Sequence, residues 1–410
     1  MTTAAIDNAA APTAKQRWLL LSMVVSTATL YSMTLLVVSV VLPQIQGSLS
    51  ASPDQISWAM TYNILATAVV TPVTGWFASR FGWRNVMLYS MVGFTVATLL
   101  CGLAGSLESL VVFRIFQGGF GAPVVPLAQA IILSTFPRRQ HSVATSIFGM
   151  GVVVGPIIGP YLGGYLTELY NWRWAFFMIV PMAITGLLAT WFFLHDGGRQ
   201  RGVRLDWTGF VALAVALAAL QLVLDRGERH DWFYSTEIIL ECGIGIAAFY
   251  IYLTHSMMTD RPFLNLGLLR DRNYALGLII VTVYGMLNFT PMVMLPPMLK
   301  GLGGYPESII GTLLGFRGIG AVIGFGSSAW VGRMDPRIGI TVGYLIQAWS
   351  GWYMMGFNAQ VSMFDVALTS TLQGVAVGLV WVPLTTATFA TLDKRHLTEA
   401  SAVYHLLRNV

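Results

Sequence analysis

Gly149-Met-Gly-Val-Val-Val-Gly-Pro-Ile-Ile-Gly-Pro-Tyr-Leu-Gly-Gly164 closes a long apolar run. Gly151, Gly155, Gly159 and Gly163 recur every four residues, so on a helix they form one bare stripe that lets another backbone come close. Pro156 and Pro160 stand beside the stripe, and each removes one intrahelical hydrogen bond, at the carbonyls of Val152 and Pro156. Such a helix should bend, and it needs neighbours to occupy the freed groups. In water it would be a poor helix, so its sense depends on what surrounds it.

The surroundings are apolar. Of 410 residues, 55% are hydrophobic, 12% aromatic and 10% charged, whereas soluble chains carry about a quarter charged residues. The composition is that of an all-α integral membrane protein. A net charge of +5 does not point to nucleic acid, because the basic residues lie in ones, twos and threes between apolar runs. Cys101 and Cys242 both fall inside apolar runs, and the six histidines lack metal-ligand spacing, so no disulfide, metal or cofactor is expected.

A crossing helix needs about 20 apolar residues. Runs of that kind lie at 18–42, 56–78, 86–107, 109–135, 142–166 and 173–194, then 207–224 and 236–254, then 274–298, 308–331, 338–357 and 363–390. A thirteenth begins near Ala400. The first seventeen residues, ending in Lys15 and Arg17, read as a disordered cytoplasmic tail rather than a signal peptide, because the following run is too long for one. With the N-terminus inside, 16 of the 23 Lys and Arg residues fall on the cytoplasmic side, four outside, and Arg114, Arg317 and Arg408 within spans. That asymmetry supports both the count and the direction.

The chain also repeats itself in parallel. Leu42-Pro43 matches Leu295-Pro296, Pro53-Asp54 matches Pro306-Glu307, and Arg80/Arg84 match Arg333/Arg337, all at an offset of 253. Gln117-Gly118 and Pro126-Leu127 return as Gln373-Gly374 and Pro383-Leu384 at offsets of 256 and 257. Two parallel six-helix units that rock about a central site form a transporter pattern. The expected division is 1–17 as tail, 18–195 as an N-terminal six-helix bundle, 196–260 as cytoplasmic linker and inserted transmembrane hairpin, and 261–410 as a C-terminal bundle lacking its last two helices.

Several residues carry candidate chemistry. Gly75-Trp-Phe-Ala-Ser-Arg80-Phe-Gly82-Trp-Arg84 lies at the cytoplasmic end of span 2, where Arg80 and Arg84 either anchor helix ends or latch neighbouring helices, with Arg333 and Arg337 as their counterparts. Arg114 on span 4 and Arg317 on span 10 are buried cations that should face the bundle interior. No Asp or Glu lies within the first six spans, and Glu241, on the hairpin, would be protonated if it faced lipid. Asn288, Pro291, Pro296 and Pro297 should break or bend span 9. Tyr31, Tyr62, Asn63, Tyr284, Gln117, Gln373 and Trp381 are further candidates for the pathway. Glycines 311, 315, 320 and 324 repeat the close-packing signature on span 10, making it the expected mate of the span 5 stripe across the two halves.

These features together resemble the major facilitator superfamily, and in particular its EmrB/QacA-type fourteen-helix drug:proton antiporters. The Gly75–Arg84 loop is similar to the family's first-loop motif, Arg114 with Gln117-Gly118 to its fourth-helix motif, and Gly151–Gly164 to its antiporter motif. Asn171-Trp-Arg-Trp-Ala-Phe-Phe, Asp206-Trp-Thr-Gly, Arg317 and Leu407-Arg408-Asn409 also resemble this branch. Thr34 stands where the family commonly has an aspartate, nine residues before Pro43, and Ser79 replaces the usual loop aspartate. The resemblance implies the major facilitator fold and export of small lipophilic compounds across the inner membrane by proton antiport. It also implies a small-molecule substrate, the lipid bilayer, protons and a periplasmic adaptor as partners. The missing aspartates leave two alternatives: transport of neutral or anionic molecules without proton coupling, or a non-transporting receptor. No nucleophile–base or metal-ligand grouping supports an enzyme.

Overall fold

The protein is described by a computed structural model covering residues 13–194, 204–259, 262–301, 303–305, 307–331, 335–358 and 360–409. The N-terminal residues expected to form a tail lie outside the described residues up to Pro12, and helix α1, Ala14–Ser48, starts earlier than its apolar run. Thr13 and Gln16 close a capping box there, so the chain becomes helical before it becomes apolar.

Span 2 is α2 (Pro53–Val70), a 3₁₀ turn (Thr71–Val73) and α3 (Thr74–Phe81); span 3 is α4 (Trp83–Leu103). Span 4 divides into α5 (Leu107–Gly121) and α6 (Val124–Thr135) at Ala122-Pro123. Span 5 is α7 (His141–Leu169), and span 6 is α8 (Trp174–Phe177) with α9 (Ile179–Phe193). The hairpin is α10 (Trp207–Arg226) and α11 (Thr236–Met258). The second unit comprises α12 (Arg272–Gly301), α13 (Glu307–Val331), α14 (Pro336–Met354), α15 (Met363–Phe389) and α16 (Leu397–Asn409). Among the described residues ten helical segments are long and apolar enough to cross a membrane. α1 and α14 are not among those ten, but they have 35 and 19 residues.

The repeat predicted from spacing is visible in packing: α2 crosses α5 as α13 crosses α15. A Cβ on Gly118 would meet the backbone of Asn63, and one on Gly374 the backbone of Arg317. Gly320 and Gly324 meet the α15 backbone at Thr371 and Val375, so the α13–α15 crossing is glycine against glycine.

The prolines of span 9 predict a break or a bend, and α12 is a single helix, which removes the first of the two. Pro291 frees the Leu287 carbonyl, and Gln347 Nε2 donates to it at 2.9 Å, while the Asn288 carbonyl receives Arg317 at 2.8 Å. Neighbouring side chains replace the lost backbone donor, so the helix need not unwind.

The glycine stripe also differs from expectation. Cβ atoms on Gly151, Gly155, Gly159 and Gly163 would meet Val25 and Thr29, then Thr29, Ser32 and Met33, then Met33, then Val37. These are α1 residues rising in the same direction, so the stripe seals two helices of one half and does not face span 10. Spans 5 and 10 do touch, through another face of α7: Gly149 lies against Phe325 and Trp381, and Ile157 against Gly318. The stripe asks only for a close partner, and α1 supplies one because it runs parallel with small or slender residues at the same four-residue spacing.

One apolar core gathers residues from Leu21 to Leu194. A second gathers the second half but also takes Ala130 and Leu133 from α6, with Met150 and Val153 of α7 packed on it. A third, Leu299, Ile310, Leu313, Val361 and Val366, lies at the opposite end and contains no first-half residue. The end that carries Arg80, Arg84, Arg138, Arg139, Arg337 and Arg395 is called the basic end below.

Candidate functional site

Arg114 is 1% exposed and finds no carboxylate. Its Nε donates to the Ala59 carbonyl at 3.0 Å, and a guanidinium nitrogen donates to Gln117 Oε1. Gln117 Nε2 passes the chain to Thr98 Oγ1 at 2.7 Å. Asn63 Nδ2 donates to the Arg114 carbonyl at 2.7 Å, Thr67 to the Asn63 carbonyl at 2.9 Å, and Tyr31 Oη lies 3.1 Å from Thr67 Oγ1. Arg114, Gln117, Asn63 and Tyr31 are therefore one hydrogen-bonded network between spans 1, 2, 3 and 4. Tyr62, half-buried, is not part of that chain of bonds.

Arg317, 4% exposed, braces the corresponding helix crossing of the second half from the other of its two helices. One terminal nitrogen donates to the Asn288 carbonyl at 2.8 Å and to its Oδ1 at 2.6 Å, and the other to Gln373 Oε1 at 3.2 Å. Tyr284, which follows Tyr31 at the repeat offset of 253, stacks near Trp381 at 5.6 Å, and Trp381 also holds the Arg408 guanidinium at 5.1 Å. The candidates thus form two separate polar networks, one in each half. Tyr284 and Asn288 border a space of about 10 Å³, room for one water at most.

The large cavity lies elsewhere. About 680 Å³ opens at the basic end between Leu133, Phe136, Arg138, Arg139 and Ser142 of the first half and Thr386, Phe389, Leu392 and Leu397 of the second. None of the pathway residues expected from the sequence lines it.

The expected latch is only partly present. Arg84 donates to the Trp191 carbonyl at 3.1 Å and stacks over that ring at 5.2 Å, holding span 6 of its own half. Arg80 and Arg337 are exposed, and Arg333 lies outside the described residues. Gly82 has φ 85°, which explains the glycine. Gly75, in α3, is the residue of this motif that meets the other half: its Cβ would lie 2.9 Å from the Glu399 Cα. Pro156 lies within an unbroken α7, as does the backbone of Pro160.

Two ties that sequence reading missed join the halves. Ser142 Oγ donates to the Ser328 carbonyl at 3.4 Å, and His405 Nε2 is hydrogen-bonded to Gln129 Oε1. The signal for the second was a histidine and a glutamine isolated in apolar surroundings. Thr34 Oγ1 is turned back to its own helix, donating to the Tyr31 carbonyl at 2.7 Å, so nothing in that position replaces a carboxylate. Glu241 does not face lipid unpaired. Arg226 holds it at 3.3 Å and Glu237 at 2.7 Å, an ion pair that staples the hairpin. The hairpin rests on the first half, Thr61 donating to Asp225 at 2.7 Å and Arg229 to Ser57 at 2.9 Å.

Comparison with known proteins agrees with this architecture. The chain is 32% identical over 401 residues to the multidrug export protein EmrB of Haemophilus influenzae, covering 96% of this chain and 78% of that protein. It is 31% identical over 377 residues to the fatty acid resistance protein FarB of Neisseria gonorrhoeae, covering 91% and 74%. Its fold overlies the human organic anion transporter MFSD10 with a TM-score of 0.72 at 14% identity, across 96% of this chain and 90% of that one. The proton:xylose symporter XylE follows with a TM-score of 0.65 at 13% identity, covering 96% and 87%. The family model for the Major Facilitator Superfamily matches residues 23–410, and this multi-pass, EmrB-like efflux transporter belongs to that superfamily.

Proposed function

We propose that the chain exports small lipophilic compounds across the cell inner membrane by alternating access, in exchange for protons, with its N-terminus in the cytoplasm. The observation that carries this reading is where the halves meet. Gly75 against Glu399, Gln129 with His405, Ser142 with Ser328, and Gly149 against Phe325 all lie toward the basic end, with Ile157 against Gly318 at mid-depth. Among the described residues these cross-half contacts lie on one side and at mid-depth, as one state of alternating access requires. By the positive-inside argument the sealed side is the cytoplasm. The division into bundles and hairpin, the pathway residues and a periplasmic adaptor belong to the same proposal.

Everted vesicles containing the protein should accumulate a lipophilic dye when a pH gradient is imposed, and release it when the gradient is dissipated. Accumulation that ignores the gradient would refute proton exchange; the absence of accumulation would refute export. A second reading, favouring neutral or anionic substrates, is supported by Arg114 and Arg317, by the absence of Asp or Glu among the buried described residues, and by Arg138 and Arg139 at the large cavity. Matched anionic and cationic amphiphiles compared in the same vesicles distinguish the two.

A further inference from the structure

A proton exchanger needs a group that takes the proton, and the usual carboxylate position is Thr34. Among the described residues the buried charged or titratable polar side chains other than tyrosine and cysteine are Arg114, Arg317 and His405, of which only the histidine has an ordinary titration near neutral pH. We propose that His405 is the proton-binding site that controls the basic-end seam. In its neutral form it ties the halves through Gln129, and a proton on Nδ1 releases them. This rests on the reading of the chain as a proton-exchanging exporter.

The geometry is specific. Gln129 on α6 offers Oε1, so Nε2 of the neutral ring carries the hydrogen and donates it across the seam. That leaves Nδ1 as a bare lone pair, and it is buried without a hydrogen-bond partner. The ring is 1% exposed, lies 5.8 Å from Trp381 and packs edge-on to Tyr404 at 5.7 Å. The neighbouring titratable and charged groups leave a new charge unbalanced. Its own helix presents Arg408 and Tyr404, and α12 presents Tyr284. α15 presents Trp381, α6 presents Gln129, and span 2 packs on α16 through the Thr71–Val73 turn and α3, so no carboxylate stands among them. Glu399, the closest carboxylate on the same helix, is six residues toward the basic end, about 9 Å along the axis, and accepts from the Asn265 backbone at 2.5 Å.

Protonation adds one N–H and one positive charge, and no other bond changes. The imidazolium then shares a dry site with a guanidinium and lacks a counter-ion, an arrangement relieved by letting water into the seam. The proton leaves from the opened seam to the basic end. Ser401, one turn from His405 and one from Leu397 at the large cavity, has a buried unpaired hydroxyl and marks that route. For an exporter the order is correct: a proton taken up while the basic end is sealed opens it toward the cytoplasm.

The test measures seam opening without any substrate. Spin labels on cysteines placed at the exposed positions Arg139 and Ala390, on the two sides of the cavity, report the distance between halves in lipid nanodiscs. The background carries Cys101→Ala and Cys242→Ser. With His405 present, lowering the pH from 8.5 to 5.5 should lengthen the distance, the closed-to-open ratio falling by up to about tenfold per pH unit. H405Q and H405N should remain closed throughout, and H405K should be open throughout. His141→Gln and His396→Gln should keep the parent's response. A parent that does not open, an H405Q or H405N protein that still opens with acid, or loss of the response in the His141 or His396 variant would overturn the proposal. Dye accumulation in everted vesicles tests export separately, so the failure of either reading is visible without the other.

Discussion

Replacing Gly155 by alanine turns the glycine stripe into a measurement. An added Cβ would lie 2.5 Å from the Thr29 carbonyl oxygen, 3.1 Å from the Met33 nitrogen and 3.1 Å from the Ser32 Cβ, where ordinary contact begins at 3.4 Å. The shortfall is about 0.9 Å against backbone, which cannot rotate away, so α1 and α7 must separate; overpacking of this kind costs about 1–3 kcal/mol. Alanine is also the better helix former, by up to about 1 kcal/mol over glycine, so the two effects oppose each other and the sign is informative. We expect the contact to win, giving a net loss of about 1–2 kcal/mol. Gly315 on α13 is the control, because nothing lies within 4 Å of its Cβ and only the propensity term acts. Purified G155A should therefore unfold at a lower temperature than the parent, and G315A at the same or a higher one. If G155A were as stable as G315A, the close approach of α1 to α7 would be refuted.

The remaining predictions concern the seam, the buried cation and a loop histidine. Gly75→Val places its Cβ 2.9 Å from the Glu399 Cα, so it should wedge the basic end open and make a cysteine at Ser142 more reactive to maleimide; unchanged reactivity would refute the contact. Arg317→Lys keeps the charge but loses the fork that reaches Asn288 and Gln373 together, and should lower stability by about 1–3 kcal/mol, checked by thermal unfolding. His396 is held above its ordinary 6.5 chiefly by the Glu399 carboxylate 3.9 Å away, against some desolvation. A raised folded value means stability that is full below 6.5 and lost as pH rises through the folded value, so His396→Gln should cost stability at acidic pH and nothing at alkaline pH. A pH-independent cost would sink that assignment.

Helix order was legible because a bilayer demands long apolar runs: the run at 363–390 returns almost residue for residue as α15, and that at 86–107 returns as α4, Trp83–Leu103, shifted toward the N-terminus by three to four residues. The parallel repeat was legible for a similar reason: Gln117-Gly118 and Gln373-Gly374 occupy one structural role, the glycine allowing a helix crossing and the glutamine accepting from a guanidinium. Partner choice was not legible. Gly155 announces that some backbone is near without saying which, and α1 and α13 both offered slender residues. The continuity of α12 was hidden as well, because the donor that replaces Pro291's missing N–H is Gln347, two helices away in sequence. His405 and Gln129 escaped notice because a single polar residue in an apolar run has many possible partners, and only the fold brings these two together.

The two buried arginines come from different helices, and that difference bears on what they do. Arg114 belongs to span 4 and reaches the span 2 carbonyl of Ala59; Arg317 belongs to span 10, the counterpart of span 2, and reaches Gln373 on the counterpart of span 4. Both guanidiniums also bond to the glutamine of a Gln-Gly pair. The element shared by the two halves is therefore not an arginine at a given position but a guanidinium that bonds the glutamine of a Gln-Gly pair while bracing the same helix crossing, through the Ala59 carbonyl in the first half and through Gln373 itself in the second. If substrate recognition set the position of the charge, the two halves would be free to place it toward a common cavity, yet each arginine uses its donors within its own half. The arginines accordingly act first as internal staples that make each half move as one body. The seam is held by neutral groups instead: a histidine, a glutamine, two serines and close glycine contacts. Rocking needs this arrangement, because charge-assisted ties within each half resist deformation while weaker neutral ties between halves can be made and broken in every cycle.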